Sequence, residues 1–290
     1  MPNNYHSHCD YCDGKTSAEE MAKAAHDYGI GSLGFSSHAP LPFYTPWNMD
    51  ADRLSSYQTT VSGLADKYKG KMEVLCGLEI DYIEAVCSPT DRLFSTGSLD
   101  YQIAAIHLLS APNNGNATKS NPKLEDYFIV DDSAQNFAAN FKKYYADNPW
   151  QMAEDYYHAL ASCIRNGGFD ILAHFDLLRK NNRDGQYFNE SSEHYRSLAM
   201  LAVDALEGTD IIVEINTGAM ARYGFKSPYP EGWILKELYS RKIDICVNSD
   251  AHSPGQLLAF RNEGLKAARE AGFNRLVKPG KSGRSYTGLE

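Results

Sequence analysis

The chain alternates short apolar segments with longer amphipathic ones, and this alternation limits its possible folds more than any other feature. Seven segments have the length and composition of buried strands: Asn4–Cys9, Ser32–Ser37, Glu73–Ile80, Gln102–Leu108, Asp170–His174, Ile211–Asn216 and Asp244–Asn248. Seven others have helical spacing of apolar residues: Ala18–Tyr28, Ala51–Tyr68, Ala134–Ala146, Gln151–Asn166, Ser191–Glu207, Gly232–Arg241 and Pro254–Ala271. Repeated strand-then-helix units imply parallel pairing, and we expect the strands to close into an α/β barrel.

Length and composition support one enzyme-sized domain. The chain has 290 residues, close to the length of a single closed barrel, and we expect one domain over residues 1–290. It lacks a secretion signal and a run of about 18 apolar residues, so we expect a cytoplasmic protein without a membrane partner. The net charge of −9 argues against binding to nucleic acid. The oligomeric state stays open.

Three connections that follow strands are unusually long. They are Ala39–Asp50, Ser110–Ser133 and Thr217–Glu231. Long loops in a compact domain are often functional, and in a barrel these three would lie at the C-terminal face, where active sites occur.

The histidines are placed where such a face would be. Of nine histidines, three (His26, His158 and His194) fall in helical segments, and the others fall at predicted strand ends. These six are His6, His8, His38, His107, His174 and His252, and the carboxylates Glu79 and Asp250 accompany them. Imidazole and carboxylate are ligands for Zn, Mn or Fe, and this many exceed the needs of one tetrahedral ion. The sequence therefore predicts a site with more than one metal.

Other catalytic signatures are missing from the sequence. It has no Cys-x5-Arg segment, no complete phosphate-binding loop and no Gly-x-Ser-x-Gly elbow. The hypotheses that remain are a metal-dependent hydrolase, of which an amidohydrolase-type enzyme is one form, and a metal-stabilised scaffold without activity.

Several motifs resemble the polymerase and histidinol phosphatase (PHP) family. The metal-binding motifs are His6-Ser-His8 with Asp13-Gly, Ser37-His-Ala-Pro40, Gly77-Leu-Glu-Ile-Asp81, Ala105-Ile-His107 and Asn248-Ser-Asp-Ala-His252. The segments Ala173-His-Phe-Asp-Leu177 with Arg179, Glu214-Ile-Asn-Thr217, and Arg222 with Lys226-Ser-Pro-Tyr-Pro230 complete the match. Those around Arg179 and Lys226 are similar to the histidinol-phosphate phosphatase branch. The segment before His6 is more polar than the first strand typical of the family.

The resemblance implies a fold and a ligand set. The fold would be a single-domain, distorted, TIM-like (β/α)7 barrel that carries three divalent metal ions. One ion would take His6, His8, Glu79 and Asp250, and a second would take Glu79, His107 and His174. The third would take Asp13, His38 and His252.

The resemblance also implies the reaction. The substrate would be a small phosphomonoester, L-histidinol phosphate, hydrolysed by a metal-bridging hydroxide during histidine biosynthesis. Glu79 would bridge two ions, Asp250 would orient the hydroxide or take its proton, and Arg179 and Arg222 would bind the phosphate. Aromatic residues (Phe43, Tyr44 and Trp47) could line the remainder of the pocket. The alternative within the family is another small phosphomonoester.

Overall fold

Seven parallel strands form one sheet whose order follows the chain, as the alternation of strands and helices predicts. The computed structural model describes residues 1–95, 99–110, 121–279 and 283–289. Its strands are β1 (Asn3–Asn4), β2 (Ser32–Phe35), β3 (Glu73–Asp81), β4 (Tyr101–Ala105), β5 (Leu108–Ser110), β6 (Tyr127–Ile129), β7 (Ile171–Leu172), β8 (Ile212–Asn216), β9 (Ile245–Asn248), β10 (Arg275–Lys278) and β11 (Ser285–Gly288). The sheet order is β1-β2-β3-β4-β7-β8-β9, and every neighbouring pair is parallel.

The first and last strands of the sheet meet at a seam that nearly closes the barrel. Ser7 pairs in parallel with Ala251, whose amide donates to the carbonyl of His6 at 3.1 Å. The Asn4 side chain accepts a hydrogen bond from the amide of Ser249 at 3.0 Å. This seam explains the polar start of the chain, because a buried asparagine there bridges two strands. It also explains why β1 is much shorter than the predicted strand Asn4–Cys9.

Helices surround the sheet. They are α1 (Ala18–Asp27), α2 (Leu54–Tyr68), α3 (Arg92–Ser95), α4 (Ala134–Tyr145), α5 (Pro149–Asn166), α6 (Glu193–Ala205), α7 (Gly218–Tyr223), α8 (Gly232–Ser240) and α9 (Arg261–Ala271). Ser17 caps α1 in a capping box with Glu20. Among the helices in the described ranges, none has both the length and the apolar composition needed to cross a membrane.

Two predicted element boundaries were wrong. The predicted helix Pro254–Ala271 is divided, because Phe260 has a left-handed backbone (φ 54°) that separates a 3-10 turn at Pro254–Gln256 from α9. The connection Ser110–Ser133 was predicted as a loop, but β5 and β6 pair there as an antiparallel hairpin. The central part of that connection, residues 111–120, lies outside the described residues.

A tyrosine fills the inside of the barrel. The hydroxyl of Tyr101 donates to the carbonyl of Phe35 at 3.1 Å and also contacts the carbonyl of Tyr5. Gly34 and Gly77 make room for the ring, since a Cβ atom at either position would lie within 2.5 Å of Tyr101. The packed interior supports the strand ends above it, where the histidines lie.

A second tyrosine fixes the loop that follows β7. The hydroxyl of Tyr156, on α5, donates to the carbonyl of Phe175 at 3.1 Å and accepts from the amide of Leu177 at 3.2 Å. Tyr156 is almost fully buried. The loop that carries His174 is therefore anchored to a helix on the outside of the barrel.

Candidate active site

The predicted ligands meet at one end of the barrel. They follow or end the parallel strands, whose carboxyl ends share one face. These residues are His6, His8, Asp13, His38, Glu79, His107, His174, Asp250 and His252. All but Asp13 and His252 are buried. The structure therefore brings together every metal ligand that the sequence predicted.

Glu79 lies at the centre of this cluster, and its two oxygens face different histidines. Oε2 lies 3.2 Å from Nε2 of His6, 3.5 Å from Nε2 of His8 and 3.1 Å from Nδ1 of His38. Oε1 lies 3.0 Å from Nε2 of His174 and 3.7 Å from Nε2 of His107. A carboxylate with a separate set of ring nitrogens on each oxygen has the arrangement of a bridging ligand.

Asp250 and Asp13 extend the cluster towards the loop after β9. Oδ1 of Asp250 lies 3.2 Å from Nε2 of His8 and 3.5 Å from Nδ1 of His252. Oδ2 of Asp13 lies 3.3 Å from Nε2 of His252, and its Oδ1 lies 3.8 Å from Nε2 of His38. Asp13 thus lies close to His38 and His252, the other two members of the third predicted group.

The donor atoms suit divalent metal ions. The residues form three sets, and within each set the ligand atoms all lie within 4.8 Å of one another. The sets are His8 with Asp13, His38 and His252; His6 with His8 and Asp250; and His38 with Glu79 and His107. The sets share His8 and His38, so their membership differs in part from the division that the family resemblance implies. Within the described part of the chain, Nε2 of His6, Nε2 of His8 and Nδ1 of His38 are buried without a hydrogen-bond partner. Buried ring nitrogens without partners are costly unless they bind a ligand such as a metal.

The charges within the cluster are strongly coupled. Burial lowers the pKa of His8 to about 3, so this ring stays neutral. Burial also opposes the charge on His107, but Asp81 and Glu79 outweigh it and raise the pKa of His107 to about 10. Although burial disfavours their charge, the neighbouring cations hold the pKa of Glu79 and of Asp250 well below the usual range. Both carboxylates are therefore ionised at neutral pH, as metal ligands must be.

A cavity of about 680 Å³ opens beside the cluster. Glu79, His107, Asp250 and His252 contribute to its wall, and so do the cations Lys15, Lys180 and Arg222. Nη2 of Arg222 donates to Oδ2 of Asp250 at 2.7 Å, and Nη1 contacts the Asp250 carbonyl. The predicted phosphate ligand Arg222 is therefore at the cavity and next to the metal ligands.

Comparison with known proteins identifies the family of the chain. The model of the PHP domain family matches residues 4–218, about three quarters of the chain. The chain belongs to the PHP domain family. This match covers all of the predicted metal ligands except Asp250 and His252, which lie beyond it.

Relatives of this PHP domain share most of its length. It is 25% identical over 277 residues to a probable histidinol-phosphatase of Deinococcus radiodurans, covering 92% of each chain. It is 26% identical over 267 residues to the histidinol-phosphatase of Bacillus subtilis, covering 87% of this chain and 94% of the relative.

Two solved structures share the fold. A candidate histidinol phosphatase of Listeria monocytogenes superposes with a TM-score of 0.74 at 17% identity, covering 90% of this chain and 99% of the other. The histidinol phosphate phosphatase of Lactococcus lactis, solved with zinc, L-histidinol and phosphate, gives a TM-score of 0.67 at 15% identity and covers 98% of both chains. These similarities confirm the predicted TIM-like barrel of the PHP domain.

The second predicted phosphate ligand of the PHP domain, Arg179, has a different environment. Its side chain is only 6% exposed and is not among the described residues that line the cavity. Every nitrogen of its guanidinium has a partner. Nε donates to Glu190 at 2.8 Å, Nη1 donates to Asp176 at 3.2 Å, and Nη2 contacts both Ser227 and Glu231. Contact between Arg179 and phosphate stays a prediction.

The predicted aromatic residues also separate. Trp47 lines the cavity. Phe43 instead stacks on Tyr127 with ring centroids 5.1 Å apart, and Tyr44 is 77% exposed. Tyr223 and Ile129 supply further apolar surface to the cavity.

Sequence reasoning missed residues that support the site of the PHP domain. Lys180 and Asp131 line the cavity, with Nζ of Lys180 lying 3.8 Å from a carboxylate oxygen of Asp131. Two buried carboxylates, Asp81 and Glu214, accept hydrogen bonds from ligand histidines. A signal was present for Glu214, which lies between apolar residues of β8 where a buried carboxylate needs a partner.

Proposed function

We propose that this protein hydrolyses the phosphomonoester L-histidinol phosphate to L-histidinol and phosphate with divalent metal ions. The observation that carries the proposal is Glu79, which faces separate sets of ring nitrogens with its two oxygens beside a cavity that contains Arg222. The two relatives that match nearly the full length of the chain are a probable histidinol-phosphatase and a histidinol-phosphatase, which supports histidinol phosphate as the substrate.

We propose three ions, of zinc, manganese or iron, because there are three sets of ligand atoms. Neighbouring sets share His8 or His38. When bound, such ions lower the pKa of water and neutralise charge on the phosphoryl oxygens. Glu79 would be a ligand shared between two groups of histidines, with His6, His8 and His38 facing Oε2 and His107 and His174 facing Oε1. Its low pKa keeps it charged for this role.

Asp250 is proposed to orient the attacking water. Its Oδ1 is directed at the histidine cluster, while Oδ2 accepts from Arg222 at 2.7 Å. The same contact with Arg222 keeps the pKa of Asp250 well below its usual range despite burial. An ionised carboxylate accepts a hydrogen bond from water, but one with a low pKa holds a transferred proton only weakly. Orientation is therefore the main role that we assign to Asp250.

Arg222 is proposed to bind the phosphate. Its side chain is 23% exposed at the cavity wall. Nη1 and Nη2 both contact Asp250, but each carries a second N–H that can donate to a phosphate oxygen. Asp131 and Asp132 also line the cavity and would suit the amine of histidinol, while Trp47 and Tyr223 offer apolar contact to the imidazole. A substrate with an anionic end and a cationic end fits a wall that carries both charges.

Product release from a substrate panel tests this proposal, measured as phosphate from the phosphomonoesters and as amine from the amide. The panel is histidinol phosphate, p-nitrophenyl phosphate, a sugar phosphate and an N-acyl amide, each with and without chelator. We expect the highest kcat/KM on histidinol phosphate and loss of activity on chelation that zinc restores. Preference for another phosphomonoester would refute the substrate, and amide hydrolysis alone would favour an amidohydrolase.

A further inference from the structure

A carboxylate outside the three ligand sets lies beneath the metal-binding cluster. Glu214 is in the middle of β8 between apolar residues, and it has no exposed surface. An ionised carboxylate at such a position needs several hydrogen bonds to offset its lost hydration. The hydrogen-bond donors to Glu214 therefore identify the groups that this carboxylate holds in place.

Four donors surround Glu214. They are Nδ1 of His6 (2.9 Å), the amide of His174 (2.9 Å), Nδ2 of Asn216 (2.7 Å) and Nδ2 of Asn248 (2.9 Å). Two of these four belong to ligand histidines. Asn248 is two residues before the ligand Asp250, and its Oδ1 also accepts from the amide of Tyr5. Glu214 therefore joins the segments that carry three ligands.

The contact with His6 fixes the tautomer of its ring. A carboxylate only accepts hydrogen bonds, so Nδ1 of His6 must carry the hydrogen. When the ring is neutral, its lone pair is therefore on Nε2, which lies 3.2 Å from Oε2 of Glu79 and has no hydrogen-bond partner within the described structure. A neutral imidazole held in this way has the form that binds a metal.

The contact with His174 acts through the backbone. His174 has a φ of 21°, which is unfavourable for a residue with a side chain. The hydrogen bond from its amide to Oε1 of Glu214 stabilises this conformation, which directs Nε2 to within 3.0 Å of Oε1 of Glu79. One carboxylate thus holds a ligand on each side of the proposed bridge.

We propose that Glu214 is a positioning residue that sets the ring of His6 and the backbone of His174, and with them the two metal positions on either side of Glu79. The inference rests on the proposed metal-dependent function. Asp81 makes the corresponding contact with only one ligand, Nδ1 of His107, at 2.7 Å. Loss of Glu214 is therefore expected to affect more than one ion.

The test is zinc retention by Glu214→Gln in competition with a chromophoric chelator. The amide keeps the size of the side chain but replaces one accepting oxygen with an NH2 donor, so at least one of the four donors around Glu214 loses its acceptor and faces another donor. We expect 10–100-fold weaker zinc binding, the usual effect of losing such a partner. We also expect a smaller increase in Tm between metal-free and zinc-loaded protein, since bound metal stabilises by mass action.

A matched control is Asp170→Asn. Asp170 accepts a backbone hydrogen bond from Gln102 at 2.9 Å, immediately before β7, and contacts none of the ligands. It should leave zinc affinity unchanged. If Glu214→Gln does not fold, Glu214→Asp retains the charge with a shorter reach and should also release zinc more readily.

Two results would overturn the proposal. One is zinc affinity within twofold of wild type in either Glu214 variant. The other is an equal drop in Tm with and without zinc, which would make Glu214 a general stabiliser of the fold. Neither readout uses a substrate, so failure of histidinol phosphate as the substrate would not affect this test.

Discussion

Two buried clusters of charged side chains lie at the same end of the barrel, and they differ in how their polar atoms are satisfied. In the first, ring nitrogens of His6, His8 and His38 lie 3.1–3.5 Å from one oxygen of Glu79 without hydrogen-bond geometry. In the second, every nitrogen of the Arg179 guanidinium has a protein acceptor. The first cluster has ring nitrogens that are available to bind a ligand. In the second cluster, the guanidinium nitrogens already donate to protein acceptors.

This difference separates binding from support. A buried group without a protein partner is costly to the fold, so it persists where a ligand compensates it. A buried arginine among Asp176, Glu190 and Glu231 instead joins three segments of chain. We therefore expect the two clusters to respond differently to substitution, the first in activity and the second in stability.

The largest effect is expected at Glu79. Glu79→Gln removes the charge that both sets of histidines share, so kcat/KM should fall by at least about 10³-fold, or ~4 kcal/mol of activation free energy. The measurement is phosphate release at saturating zinc, with far-UV circular dichroism as the control for folding. A loss below tenfold would mean that Glu79 has only a structural role, and the histidine cluster would then not differ in function from the cluster around Arg179.

The next effect is expected at Arg222. Arg222→Ala removes a forked cation from the cavity wall, and kcat/KM should fall by about 10²-fold, or ~2.7 kcal/mol. Zinc content should stay at the wild-type value. Arg222→Lys is the matched variant, because it retains charge but loses the fork, and it should recover part of the activity. Equal activity of wild type and Arg222→Ala would contradict a phosphate contact.

Arg179 should show the smallest effect on turnover. Arg179→Ala leaves the buried Asp176 without its cation, and breaking such a pair costs roughly 3–5 kcal/mol of unfolding free energy. For the protein that remains folded we expect kcat/KM within tenfold of wild type, with Tm clearly lowered. A loss near 10²-fold at unchanged Tm would support the phosphate contact that the sequence predicts and would remove the distinction between the clusters.

The sequence predicted the first cluster well for a topological reason. Parallel strands end at one face, so His6, Glu79 and His174 had to meet once the strands were recognised. The short β1 and the hairpin of β5 and β6 depend on pairing between distant segments, which local periodicity does not reveal.

The sequence could not separate the two arginines. Both Arg179 and Arg222 lie a few residues beyond a strand end, so their local contexts look alike. What distinguishes them is the origin of their partners, since Glu190 and Glu231 reach Arg179 from other segments. Glu214 carried a signal as a carboxylate between apolar residues, but its partners could not be identified because three of its donors belong to residues 6, 174 and 248.

The metal content of the zinc-replete protein tests the central claim most directly. Elemental analysis of wild type and Glu79→Gln, after removal of loosely bound zinc, gives ions per chain without reference to a substrate. The overlapping ligand sets predict three ions per chain in the wild type and the loss of more than one in the variant. Two or fewer ions in the wild type would contradict the three-ion site, and one or none would also contradict the bridging role of Glu79.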